Sequence, residues 1–187
     1  MIRPVLAAAA CLVVAACAEA PLPPPQASLD AIQSVRAANL APMRVGDFTA
    51  APGKPADMDR SVSVRAGVQP APGGSFAKYL GDSIAAQLKG GGRLDEHARL
   101  VVSGVVTDTH VDSAMPTAHA SLAAHFTLVR DGKPVFDKTL KVEDSWSSDF
   151  VGAVAIPDAF NHYNGLFGKL TEALLADPDF RAAGRAG

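Results

Sequence analysis

The chain has 187 residues, enough for one domain of ordinary size once a short leader is set aside, and 48% of them are apolar. Its 17 basic and 19 acidic residues are evenly mixed and give a net charge of −2, so there is no electrostatic footprint for nucleic acid. Both cysteines, Cys11 and Cys17, fall in the first 17 residues, which leaves the rest without the means for a disulfide, a CxxC zinc site or a thiol nucleophile.

The N-terminus reads as an address followed by an anchor. Arg3 supplies the positive start, and Val5 to Ala16 is a 12-residue apolar run, the length of a signal-peptide core and too short to span a bilayer. Val14-Ala15-Ala16-Cys17 resembles the lipobox of bacterial lipoproteins. Small side chains fit the signal peptidase, and the Cys17 thiol is the soft nucleophile that accepts a diacylglyceryl group before cleavage between Ala16 and Cys17. The resemblance implies a further acyl chain, palmitate for example, on the new N-terminus; two or more chains anchor stably where one is marginal. Ala15-Ala16 with Ala18 also suits conventional small-residue processing, in which Cys17 carries nothing. Cys11 is the poorer candidate, since cutting there shortens the apolar run. Ala18 stands where an aspartate would retain many such lipoproteins at the inner membrane, which implies the outer membrane, facing the periplasm. Pro21, Pro23, Pro24 and Pro25 favour an extended conformation without internal hydrogen bonds. Residues 17–41 are therefore expected to form a lipidated, proline-rich tether after a 1–16 signal peptide. A single α+β domain follows over 42–182, with a disordered tail at 183–187.

Leu29 to Leu40 has a modest helical pattern, either a short helix or part of the tether. Met43–Ala50 and Ser61–Val68 alternate and are each expected to be a strand. After the PAPGG break, Ser75 sits where an N-cap belongs, and Phe76, Leu80, Ile84 and Leu88 form the stripe of a helix that Gly90-Gly91-Gly92 ends. Arg99–Val111, rich in β-branched residues, reads as a central strand. Ala118, Ala120, Leu122, Ala124, Phe126 and Leu128 alternate with polar residues, Asp131-Gly132 turns the chain, and Phe136, Leu140 and Val142 return: a β-hairpin. Pro157 suits the first turn of a second helix along Ile156, Phe160, Tyr163, Phe167, Leu170 and Leu174, which Asp177-Pro178 stops, with Phe180 folding back as a plug. The expected fold is a two-layer α+β sandwich: a mixed, mostly antiparallel sheet of about five strands with two amphipathic helices on one face.

Catalytic chemistry finds little support. His119 and His125 share one face of a strand but lie about 20 Å apart by strand rise, too far to share a metal, and nothing in the spacing fixes a carboxylate partner for His110. Asp144, Asp149 and Asp158 are close in sequence, yet turn and cap roles explain them. No GxSxG, HExxH, P-loop or GxGxxG occurs. The expectation is no enzyme, no metal and no cofactor. Ser145-Trp146-Ser147-Ser148-Asp149-Phe150 stands apart. The sole tryptophan and a second aromatic in a polar link either fill gaps beneath the loop or offer a partner an anchor, so Trp146 and Phe150 are the candidate partner-binding residues.

The stretches SFAKYLGDSIAAQL, LVVSGVVTD, LVRDGKPVFDKTL and FVGAVAIPDAF, together with the lipobox, resemble small proteobacterial outer-membrane lipoproteins of the YajG-like and transport-auxiliary-like kinds. The resemblance implies a cofactor-free periplasmic α+β domain and transfers no functional residue. Two roles remain open: an interaction or scaffold module docking on an envelope protein, or a carrier holding a lipid or other apolar ligand between sheet and helices.

Overall fold

The computed structural model describes residues 22–55 and 57–185; the signal-like segment with Cys11, Ala16 and Cys17 lies outside them. The long alternating run and its return form an antiparallel pair, β5 (Thr117–Arg130) and β6 (Lys133–Ser147), numbered in chain order. Asp131 and Gly132 join them at φ 50° and 78°, the positive angles that a two-residue hairpin turn needs to match strand twist. β4 (Leu100–Val111) pairs antiparallel with β5, and β1 (Arg44–Ala50) lies parallel to β4, giving the order β1-β4-β5-β6.

The sheet therefore has four strands rather than about five. The stretch Ser61–Val68, expected as one strand, turns back at Arg65-Ala66 into a separate hairpin, β2 (Ser61–Val64) and β3 (Gly67–Pro70). Arg65 sits at φ 52°, a conformation that glycine or asparagine normally announces, and so the turn is silent in the sequence.

Ser75 Oγ accepts from Lys78 N at 3.0 Å and starts α2 (Phe76–Gly90), whose Phe76, Leu80, Ile84 and Leu88 are all buried. α3 (Gly152–Ala176) begins well before Pro157, which lies inside the helix rather than in its first turn. Ala155 and Ala159 are buried, and packing these small residues extends the helix upstream at the loss of the one backbone bond Pro157 cannot make. Together α2 and α3 cover one sheet face. Phe76, Tyr79, Tyr163 and Phe167 pack ring against ring between them, with centroids 5.2–5.7 Å apart. Burial pushes the Tyr163 hydroxyl pKa well up, although Thr109 hydrogen-bonds it at 2.8 Å. On β1, Phe48 lies over bare backbone: a Cβ on Gly104 would come 2.5 Å from its ring and one on Gly81 2.8 Å.

Both expected domain boundaries move outward. α1 (Leu29–Ala37) is capped by Ser28 Oγ on Ala31 N at 3.1 Å and buries Ala31 and Val35. Upstream of it, Tyr79 donates to the Pro23 carbonyl at 3.2 Å and Leu22 is buried. Residues 22–41 thus belong to the folded domain rather than to a tether, and of the two options for Leu29–Leu40 the helix forms, because Val35 and Leu40 fill the core. At the other end, Asp177 Oδ1 caps α4 (Pro178–Gly184), Phe180 is fully buried, and Leu40 bridges Arg185. Arg130 Nη2 donates to the carbonyls of Ala183 and Arg185 at 2.9 Å each. Residues 183–185, expected to be disordered, are tied down.

Candidate docking apex

The two candidate aromatics part company. Trp146 faces the helices from the end of β6, opposite Ala118, and is half-buried. Its indole stacks on the His162 imidazole, centroids 4.2 Å apart and 2° from parallel. His162 Nδ1 lies 2.9 Å from Asp144 Oδ2, and Lys169 Nζ donates to the same oxygen at 2.9 Å. His162 and Lys169 are seven residues apart, two turns along one face of α3, while Asp144 and Trp146 alternate onto the inner face of β6. The group rivets an edge strand to a helix. The His162 hydrogen bond, then that of Lys169, holds the Asp144 carboxyl below the ordinary carboxylate range.

Phe150 does the opposite. It is 81% exposed, and Val151, Val154 and Met115 are each 54% exposed. The backbone beneath them is held firmly. Arg65 Nε donates to Ser113 Oγ at 2.8 Å, and its Nη2 donates to the carbonyls of Ser113 (3.0 Å) and Asp149 (2.9 Å). Nη1 reaches the Phe150 carbonyl at 3.2 Å, and Ser148 N donates to the Pro116 carbonyl at 3.0 Å. Asp149 Oδ1 accepts from Val151 N at 2.7 Å. One guanidinium from the β2–β3 turn therefore stitches the β4–β5 and β6–α3 connections together. The carbonyls point inward to it and the apolar side chains project outward. Exposed apolar side chains on loops whose backbones are tied together are the usual mark of a contact site.

The remaining candidates stay scattered. His125 touches Thr139 Oγ1 (3.1 Å) and Asp137 (3.2 Å) on the open sheet face, and His110 lies 3.4 Å from Asp112. His119 sits near the start of β5 on that same open face. Asp144 and Asp158 both approach His162, whereas Asp149 serves the apex loop. Among the described residues no group of histidines and carboxylates could hold a metal ion, and no helix is long and apolar enough to cross a membrane. No local sequence pattern marks Arg65 or Met115. Phe150, Val151 and Val154 lie in FVGAVAI, which has more apolar residues than one helix face can bury.

No known family model matches the chain, and no curated protein does. Solved structures similar to it include a Xanthomonas campestris protein of family DUF330, 17% identical over 73% of this chain and 84% of that one, with a TM-score of 0.48. A candidate lipoprotein of Caulobacter crescentus is 9% identical over 83% of this chain and 98% of its own, with a TM-score of 0.45. A minor lipoprotein of Acinetobacter baumannii is 10% identical over 73% and 94%, with a TM-score of 0.39.

Proposed function

We propose that this chain is a lipid-anchored protein of the bacterial envelope, held in the outer membrane through Cys17 and facing the periplasm, whose domain docks a partner protein through Met115, Phe150, Val151 and Val154. The observation that carries the reading is Phe150, an aromatic 81% exposed on a loop that Arg65 immobilises. A pre-ordered aromatic loses little entropy on binding, which is what an interface anchor needs. The new boundary shortens the leash: from Cys17 to Leu22 the chain reaches at most about 18 Å, so the domain works close to the bilayer. A carrier of apolar ligands would need open space between sheet and helices, and that space is filled by Phe76, Phe126, Tyr163 and Phe167.

The test is a photo-crosslinking side chain placed at Phe150 in the full-length protein in growing cells, with the same group at exposed Glu172 on α3 as reference. A discrete adduct formed from Phe150 and not from Glu172 supports the reading. No adduct, or the same adducts from both positions, refutes it.

A further inference from the structure

The outer edge of β6 is open. This strand is 15 residues long, where about 5–6 is usual, and it stands last in the order β1-β4-β5-β6. Its register with β5 gives the direction of each backbone group. Ser148 N donates to the Pro116 carbonyl at 3.0 Å, and the pairing continues in step through Trp146, Asp144, Val142, Leu140 and Lys138. These residues turn their N–H and C=O toward β5, so Asp137, Thr139, Lys141, Glu143, Ser145 and Ser147 turn theirs outward. Among the described residues no strand takes up those outward groups, and the side chains beside them are exposed.

A long open edge is a template for another strand, and inward-pointing charges are one way to refuse it. On β6 those charges are engaged within the chain: Lys138 by Asp177 and Asp179, Asp144 by His162 and Lys169. No helix overhangs the edge either. α3 rests on β5 and β6 alike, and α4 leads from Phe136 on β6 back toward Leu128 and Leu40. Leu140, Val142 and Trp146 are left half-buried on the inner face, while their opposite numbers on β5, Ala124, Leu122 and Ala118, are fully covered.

We propose that a second copy of this chain covers the edge, β6 against β6, antiparallel about a two-fold axis at Val142. The order of charges along the strand selects this register. A two-fold at Lys141, Glu143 or Asp144 sets that residue against itself, and one at Leu140 sets Asp137 against the partner's Glu143; like charges directly opposite destabilise a pair of strands. One at Thr139 brings Glu143 to the partner's Val135, which stands out of the β5 ladder and breaks the parity. At Val142, Lys141 faces the partner's Glu143 twice over by symmetry, Thr139 faces the partner's Ser145, and valine meets valine. Outward groups then meet outward groups along 137–147, and each donor finds an acceptor. Two copies of α3, each seated over its own β5–β6 pair, lie two strand spacings apart, about 10 Å, an ordinary helix packing distance. The axis is normal to the sheet, so both helix layers face the same way. Tyr79 of α2 holds the Pro23 carbonyl in that layer, and the two N-terminal leashes therefore leave from one side, as a shared membrane requires. The edge uses neither Cys17 nor Phe150, so this proposal and the apex reading fail separately.

The test uses the full-length protein isolated from cells, in detergent. Sedimentation at micromolar concentration gives a dimer. Val142→Cys under mild oxidant gives a disulfide-linked dimer, because a directly opposed pair of this kind sets its Cα atoms about 4.5 Å apart, within disulfide reach. Leu140→Cys gives none, since position 140 lies about 13 Å along the strand from its own mate. The unsubstituted chain, oxidised alongside, supplies the blank for Cys17. Lys141→Glu opposes two carboxylates at each end of the pair and weakens the dimer about tenfold; adding Glu143→Lys to it restores the dimer. A monomer at every concentration, equal cross-linking from positions 140 and 142, or a double variant as weak as the single one overturns the proposal.

Discussion

Replacing Arg65 by alanine tests the apex at its support. The guanidinium makes two bonds to Ser113, at 2.8 and 3.0 Å, and Ser113 is only 8% exposed. Hydrogen bonds from a charged donor are each worth about 1.5–3 kcal/mol when sheltered. The bonds to the Asp149 and Phe150 carbonyls are solvent-exposed and count for less. Taking the low end for the sheltered pair and discounting for the freedom the side chain regains, Arg65→Ala costs about 2–3 kcal/mol. For a domain of this size that is a fall of roughly 4–12 °C in Tm. Arg65→Gly loses the same bonds but relieves the positive φ of 52°, so it is more stable than Arg65→Ala by about 1 kcal/mol. Thermal unfolding gives the ranking, and amide exchange shows whether residues 113–116 and 148–151 loosen together. If Arg65→Ala is as stable as the parent and exchange in both loops is unchanged, the clamp is not what holds Phe150 in place.

Further expectations concern the two ends of the fold and its acid limb. Phe180→Ala, emptying a fully buried site where Phe180 meets Phe136 ring to edge at 5.4 Å, costs about 3–5 kcal/mol in urea unfolding; a cost under ~1 kcal/mol would mean that the C-terminal helix is only loosely applied. Asp144 has its folded-state pKa lowered by His162 and Lys169, so its contribution is complete above the ordinary carboxylate pKa of about 4 and is lost as pH falls through the depressed value. Asp144→Asn should therefore flatten the loss of stability below about pH 4; an unchanged acid limb would place the sensitivity elsewhere.

What could be read from the sequence was whatever sequence-local rules encode. The β5–β6 hairpin was legible because six apolar residues alternate and Asp131-Gly132 is a turn in its own right. α2 was legible from Ser75 and a stripe at intervals of four. The illegible parts depend on distant partners. Arg65 turns a strand into a hairpin without glycine, stabilised by groups 48 and 85 residues away. Asp144 and Trp146 interrupt the apolar alternation of β6 on its inner face, and only His162 and Lys169, far along the chain, make that position tolerable. α1 is only nine residues long and buries only Ala31 and Val35, too few to declare itself; it is ordered by the close approach of Val35 to Gly91, where a Cβ would come within 2.7 Å of the valine's own. At the apex, the apolar excess of FVGAVAI was visible. Its meaning required knowing that Ala155 takes the inward position and leaves Val151 and Val154 outside.

The proposed anchor at Cys17, on which the proposed short leash and membrane location both depend, is tested most directly by the mass of the N-terminal peptide of the protein isolated from cells. The account predicts a chain that begins at Cys17 and carries a thioether-linked diacylglyceryl group and an amide-linked acyl chain. A free thiol at Cys17, or a chain that still starts at Met1, would contradict it.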